Sequence, residues 1–560
     1  MAFQKKWQNQ MSNKVYTTIP APKVPRNTFN RSRSNTFSMI FHREVPTVCE
    51  EILPGDRYIV HSELFSRLQP MVAPVFNQMK ISQHAFFVPL RTLNDHFAEF
   101  MFNNRTGDYS GVLPYLTYGD LWTFMNTNNL NADNRIAVAR LCDYMGLAVK
   151  NQSATTSAAW LSSWATNNSW MNGSPIRFNV APFLAYTKVW SEYFRDQNTQ
   201  VDPFEYLQDN QSIRVKELTG RFSSGWTTSK VNTFISLTMR LRPRAWAHDR
   251  FTSALPWAQR GPDVLLPVSG TLNVDWDVDP LSNGANVQAK GNPDRLYTLD
   301  AGGNEQAVKG EVDLSSGLST TINEFRRAER LERWYENSAR GGTRPNEATL
   351  AHWGIRTPDA TLDRAEFLGG SMQPIVVSDV EQTSETTQSS PLGTLGGKAT
   401  SYKPGRLCKA FFTEHGFLIV LTSALCRANY SQGTPKMFSR MQRDEYAWPE
   451  FANLGEEPVF TKEIDTQHST EDDVFGYVPR YSDYKSAVNE VHSDFKSSLA
   501  FWTQIREFGN QPQLNEAFLF SDPSLAPFAV SNPYTDLILC TANYNIKASR
   551  LLPFYGVPTI

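Results

Sequence analysis

Cysteine is scarce in this 560-residue sequence. The five residues Cys49, Cys142, Cys408, Cys426 and Cys540 are an odd number, lie far apart and show no CxxC spacing. That pattern argues against a disulfide framework or a cysteine-rich zinc site and leaves the thiols as small buried hydrophobes. Long apolar runs are also missing. The most apolar stretch, "GFLIVLTSALC" (Gly416 to Cys426), is too short to cross a bilayer and reads as a buried strand, so no membrane insertion is expected. The opening "MAFQKKWQNQ" has no apolar core of the kind a secretory signal needs. These absences together point to a reducing, soluble compartment. Excess charge of one sign is absent as well: the net charge is −2, so any binding of nucleic acid must come from a local patch.

Catalytic signatures are missing in turn. There is no HExxH, no His/Cys cluster at zinc spacing and no GxSxG elbow. "GTLGGKAT" (Gly393 to Thr400) fails as a phosphate-binding loop, because Ala399 follows Lys398 where Ser or Thr is needed and Leu392 stands where the first Gly should be. It reads as a Gly-rich loop. "VDWDVD" puts Asp275, Asp277 and Asp279 on one face of an extended segment. Pro280 and the lack of a following Glu break the calcium-loop pattern, leaving a solvated strand face. Glu414 and His415 are adjacent and would point to opposite faces of a strand. No enzyme, metal or cofactor is expected. A carboxylate pair of the glycosidase type cannot be tested by spacing, so a β-sandwich carbohydrate-binding module or glycan hydrolase stays as the alternative.

What is present is a globular composition. Apolar residues make up 40% and charged residues 20%, aromatics reach 12%, and 33 Pro slightly outnumber 31 Gly. This mix favours short strands joined by long ordered loops over a helical bundle. Residues 1–44 stand apart as a basic, extended arm. Lys5, Lys6, Lys14, Lys23, Arg26, Arg31, Arg33 and Arg43 occur before the first acid, Glu44. The first seven are the candidate nucleic-acid-binding residues, since arms of this kind neutralise phosphates and release counterions.

From Val45 on, a Pro54–Gly55 turn leads into one strand, and "KISQHAFFVPL" reads as a second. Helices are expected at "NADNRIAVARLCDYMG", with Asn131 or Asp133 as cap, and at "APFLAYTKVWSEYFRDQN", with Pro182 in its first turn. "NQSATTSAAWLSSWATNNSWMNGS" reads as a loop, and "VNTFISLTMRLR" as a strand with Val231, Ile235, Leu237, Met239 and Leu241 on one face. Residues 268–320 carry eight acids against three bases and many turn residues, as an exposed insertion should. After it, Thr321 and Glu324 form a capping box for a helix striped by Ile322, Phe325, Ala328, Leu331 and Trp334, with Gly341 as its C-cap.

"HDRFTSALPWAQRGP" (His248 to Pro262) fits none of these chemistries. It resembles a signature of the Microviridae major capsid proteins in their gokushovirus-like form. "EILPGDRY", "FSRLQPMVAPVFNQMKISQHAFFVPLRTL", "NVAPFLAYTKVWSEYFRDQN" and "ARGGTRPNEATLAHWGIRTPDATLDRAEFLGGSMQPI" are similar to blocks of that family. So are "EQTSETT", "EHGFLIVL", "FSRMQRDEYAWPEFANLGEEPV" and "FGYVPRYSDYK", and all follow the family's order. The departures are Arg250, Ala258 and extra length at 147–175 and 199–230.

The resemblance implies a mainly β fold: a viral jelly-roll sandwich or barrel of eight antiparallel strands, with long loop insertions that contain several helices. It implies one such domain over 45–560 and an arm, 1–44, that faces the interior. The insertion 268–320 would be an exposed loop able to cluster at a threefold axis. The implied function is that of a major capsid protein of a small tailless bacteriophage, self-assembling into a T=1 shell around circular single-stranded DNA. The implied partners are copies of itself, the genome, a small basic DNA-binding phage protein, a minor or pilot protein, and a host receptor met by exposed loops. Location would be the virion, assembled in the host bacterial cytoplasm. In that frame Leu255–Pro256–Trp257 is a packing anchor, with Trp257 in the chain's own core. A monomeric non-specific single-strand-binding protein is the second alternative.

Overall fold

A computed structural model describes residues 25–102, 111–127, 130–151, 154–262, 264, 322–381, 395–520, 523–530 and 532–555, together with the backbone of five short strands between 274 and 312. The chain divides into two compact units. One comprises residues up to 256, 356–453 and 457–560, and the other 257–355 with 454–456.

The first unit is built on eight long strands: β1 (Arg33–Met39), β2 (Val45–Ile52), β3 (Arg57–Leu68), β4 (Met79–Pro89), β5 (Glu366–Pro374), β6 (Leu395–Phe411), β7 (Gly416–Cys426) and β8 (Ile538–Arg550). They form two antiparallel sheets with the orders β1-β8-β3-β6 and β2-β7-β4-β5. Ranked along the chain, these are 1-8-3-6 and 2-7-4-5, the order a strip of paired strands takes when it is wound into a jelly roll. A short strand, Asn27–Asn30, lies beyond β1 along the same edge of β8, and Val376–Glu381 extends the sheet past β6. The unit also holds the helices α1 (Ala132–Tyr144), α2 (Ser157–Asn167), α3 (Ala181–Tyr193), α4 (Pro203–Gln211) and α5 (Thr228–Thr238).

Patterning explains the layers. β3 alternates without a break, with Tyr58, Val60, Ser62, Leu64, Ser66 and Leu68 buried and Arg57, His61, Glu63, Phe65 and Arg67 exposed. One face of its sheet therefore meets the core and the other is open. All eleven residues of β7 are buried, because at its place in the sheet both faces are covered. The helix α3, whose Pro182 lies in the first turn as the sequence suggests, packs on β4 and β7.

A polar seam crosses the core between the sheets. Ser62 donates to Gln83 at 2.9 Å, Gln83 donates to the Tyr544 hydroxyl at 3.0 Å, and Tyr544 donates to Thr47 at 2.7 Å. Each group finds a partner, so the seam ties β3, β4, β8 and β2 together without leaving a buried polar group unpaired along it.

Three local expectations are corrected. The stretch at 151–174 is not all loop: α2 runs through it, capped by Thr156 and held by fully buried Trp160 and Trp164 one turn apart. The stretch at 231–242 is not a strand. α5 is capped by Thr227 and buries Val231, Phe234, Ile235 and Thr238, a helical spacing hidden within an alternating one. "GTLGGKAT" is not a loop either, since β6 starts at Leu395. Its glycine Gly397 lets another segment cross, because a Cβ there would sit 2.9 Å from Pro74 Cα. The helix expected at 131–146 is present as α1, with Asn131 accepting from the Asp133 and Asn134 amides.

In the second unit, α6 (Ile322–Gly341) and α7 (Pro345–Trp353) form a helix pair. Gly341 is not the cap. It is the last helical residue, where a Cβ would come 2.5 Å from the Ala351 methyl, and Gly342 takes the left-handed turn at φ +73°. The stripe on α6 is not core: Phe325 and Trp334 are more than half exposed. Thr321 lies outside the described residues. The acidic insertion carries strand structure in place of a plain loop. Val274–Asp277 pairs with Lys309–Val312, and Leu296–Leu299 pairs with both Gln288–Ala289 and Glu305–Ala307.

Candidate nucleic-acid interface

The basic N-terminal segment meets the fold at the β8 edge. Arg26 donates to the Gly55 carbonyl at 2.6 Å and to the Ser549 carbonyl at 3.1 Å. Arg31 pairs with Glu50 at 2.7 Å, and Arg33 pairs with the other oxygen of the same carboxylate. The Glu50 side chain is 1% exposed, whereas both arginines are more than a third exposed. Two guanidiniums on one carboxylate leave a net positive charge at the rim. They also hold β1 and its approach against β2, so Arg26, Arg31 and Arg33 fasten the arm as well as charging it. Alternation gives a hint of this at the sequence level: residues 31 and 33 share one side of an extended chain. The acid they share could not be read, because nothing local links it to them. Lys5, Lys6, Lys14 and Lys23 lie outside the described residues.

The "HDRFTSALPWAQRGP" segment has a structural role. The Asp249 carboxylate accepts from the Phe251 and Thr252 amides at 2.9 and 2.8 Å and from the Tyr430 hydroxyl at 2.8 Å. Arg250, a departure from the family pattern, forms a buried ion pair with Glu463 and donates to Ser482 at 3.0 Å. Leu255 exchanges two 2.8 Å backbone bonds with Tyr477. In the second unit Trp257 is half-buried, not a fully buried core residue, with the Arg260 guanidinium 5.4 Å from its ring centre.

Burial disfavours the thiolate form of the cysteines. Burial pushes Cys408 up to about 11 and Cys49, Cys426 and Cys540 up to about 12, with the Glu50 charge adding to the effect at Cys49. Among the described residues no group of three or more His, Cys, Asp or Glu is placed to hold a metal, and no helix is long and apolar enough to cross a membrane. One acidic cleft, about 490 Å³, is lined by Asp95, Glu192, Asp202, Glu205 and Glu217. Three of these acids are engaged structurally. Glu192 pairs with Lys188 at 2.6 Å, Glu217 pairs with Arg214 at 3.0 Å, and Asp202 caps α4.

The first unit also exposes apolar surface in the segment 437–451. Met437, Phe438, Met441 and Tyr446 are each more than half exposed. A stable monomer seldom leaves side chains of this kind so close together without a partner.

Comparison with known proteins adds an independent line. A family model described as "Capsid protein (F protein)" matches residues 17–119 and 171–560. The unmatched 120–170 overlaps the extra length noted at 147–175. A capsid protein VP1 of Chlamydia phage 1 is 29% identical over an alignment of 642 residues, covering 100% of this chain and 99% of the relative. A capsid protein VP1 of Bdellovibrio phage phiMH2K is 28% identical, with 97% of each covered. One from Spiroplasma virus 4 is 31% identical, over 68% of this chain and 73% of the relative.

Proposed function

Since this chain belongs to the phage capsid protein (F protein) family, as a structural virion protein and not an enzyme, we propose that its shell is a T=1 icosahedron enclosing circular single-stranded DNA, with the N-terminal segment turned to the genome. The observation that carries this reading is the fastening of the basic arm. A segment with eight bases and no acid is anchored by Arg31 and Arg33 on buried Glu50, which fixes its fold-proximal end at the edge of the sandwich. Tethered cations neutralise phosphates without sequence preference, as a container for a whole genome requires. Exposed apolar side chains at 437–451 supply area for meeting other copies, and heterologous interfaces of this kind close into rings around symmetry axes.

The acidic 268–320 segment fits the outer surface, at the threefold axis, where it would meet the host receptor. A small basic phage protein and a minor or pilot protein complete the partner set, and assembly takes place in the host bacterial cytoplasm. The test is electron microscopy and nuclease protection on purified full-length protein and on a deletion of residues 1–24. The cut stops there because removing 1–40 would also take out β1. Expected are shells from both, with less protected DNA in the deletion. Equal protection with the same salt dependence refutes the role of the arm, and shells without any protected DNA refute genome enclosure.

A further inference from the structure

The open face of the β1-β8-β3-β6 sheet carries a charge pattern that no single strand shows. Residues opposite each other in an antiparallel pair point to the same side. Following the register outward from β3, Arg57 lies beside Phe411 and Ser549, Ile59 beside Lys409 and Lys547, and His61 beside Arg406 and Asn545. Glu63 lies beside Pro404 and Asn543, Phe65 beside Tyr402 and Thr541, and Arg67 beside Thr400 and Leu539. Lys398 continues the row on β6, opposite Ser378. Six bases (Arg57, Arg67, Lys398, Arg406, Lys409 and Lys547) therefore share the face with one acid, Glu63. All six are exposed and none is in an ion pair among the described residues. Three rings stand among them: Phe65, Tyr402 and Phe411 are 46%, 61% and 54% exposed, and the Arg57 guanidinium lies 5.5 Å from the Phe411 ring centre.

We propose that this face is a binding track for a single strand of nucleic acid, with phosphates on the arginines and lysines and bases stacked on Phe65, Tyr402 and Phe411. The proposal rests on the genome-enclosing reading above and names where the strand lies beyond the arm. Unpaired cations at this density repel one another and call for an anionic partner. Rings on a flat sheet suit unpaired bases, which offer their π faces, whereas a duplex hides them. From Arg57 to Arg67 the face runs about 33 Å at ~3.3 Å per residue, room for several nucleotides. The arm enters the fold on this same sheet, at the β8 edge.

The test uses full-length protein, a fluorescent mixed-sequence single-stranded 20-mer and its duplex, titrated at several salt concentrations. One variant is Arg67→Gln/Arg406→Gln/Lys409→Gln, and a second is Phe65→Ala/Tyr402→Ala. A control removes two exposed lysines elsewhere, Lys150→Gln/Lys216→Gln. The charge variant is expected to weaken single-strand binding and to flatten the slope of log affinity against log salt by about 0.7 for each phosphate no longer neutralised. The ring variant is expected to keep the slope but lose about 5- to 150-fold in affinity for each base unstacked, with little change on the duplex. The control is expected to match the unmodified chain.

Wild-type affinity in both variants, with binding lost on deleting residues 1–24, overturns the track and leaves the capsid reading intact. Variants that keep single-strand binding but fail to form shells also overturn it, because the face would then meet an acidic surface of a second copy. No single-strand affinity in the unmodified chain points to failure of genome enclosure itself. The two variants change different chemistry at exposed positions, so misfolding of one leaves the other to decide.

Discussion

The two sheets of the jelly roll each hold four long strands, yet their central strands treat substitution in opposite ways. β7, at the centre of the β2-β7-β4-β5 sheet, hides every side chain. β3, at the centre of the β1-β8-β3-β6 sheet, hides every second one. Over β2, β7 and β4 the first sheet is a wall between the core and the helical layer, where sequence is constrained by packing on both sides. The second is a floor with a finished underside, whose upper side is free to carry charge. A capsid subunit needs both, an interior that sets shape and a surface whose chemistry can be assigned to a partner without disturbing that shape.

The most direct way to break this contrast is to put the same lesion on each sheet. Leu418→Ala in β7 should cost about 2–5 kcal/mol, and Asn543→Ala on the open side of β8 less than about 0.5 kcal/mol, read as urea midpoints. Similar costs would mean that the open face is covered in the folded chain.

Next in size is the seam that joins the sheets. Tyr544→Phe removes its hydroxyl from between Gln83 and Thr47 and should cost about 1–3 kcal/mol, because both partners stay buried. A thermal midpoint equal to the parent's would show that the seam contributes nothing.

The pH response sharpens the contrast further. Burial, reinforced by the Arg244 charge, holds His42 down to about 3 and His84 down to about 4. Both stay neutral in the folded chain while the unfolded chain takes up protons below about 6.5. Stability should therefore be full above about pH 6.5 and fall as pH drops toward about 4. His84→Gln should flatten that fall, measured as urea midpoint against pH. An unchanged slope would remove His84 from the account.

The smallest effect is at the fastening of the arm. Glu50→Gln should leave the global melt within about 1 kcal/mol, because its arginines are already partly solvated. It should nevertheless speed trypsin cleavage after Arg31 and Arg33. Cleavage at the parental rate would show that the clamp does not hold the edge.

What the sequence made legible follows the same division. The continuous run of β7, the Pro54–Gly55 turn ahead of β3 and the first turns of α1 and α3 are local signals, and each element stands where its signal put it. α2 escaped because only Trp160 and Trp164 speak for it in a stretch of Ser, Thr and Asn. α5 escaped because Val231 and Ile235 satisfy both periods, and only Phe234 and the Thr227 cap separate them. The jelly roll itself came from resemblance, since strand order is a property of pairs far apart in the chain. The open face was invisible for the same reason. Arg57, Arg406 and Lys547 lie on three strands, none unusual alone, and the register brings them onto one surface. Of the arm, the charge could be read but not the anchor, because Glu50 acts across the edge of the sandwich.

The pairing of β1 with β8 has a consequence for how the protein is made. The Ser32 hydroxyl, just ahead of β1, accepts from the amide of Ile546, a residue 514 positions later, at 3.2 Å. Among the long strands β1 has no sheet neighbour except β8. A ribosome therefore emits the opening strand long before the one that will receive it. Any product that stops short of residue 538 lacks the piece that seats between β1 and β3. Such fragments cannot complete the sheet, so the sandwich closes only once β8 has been made.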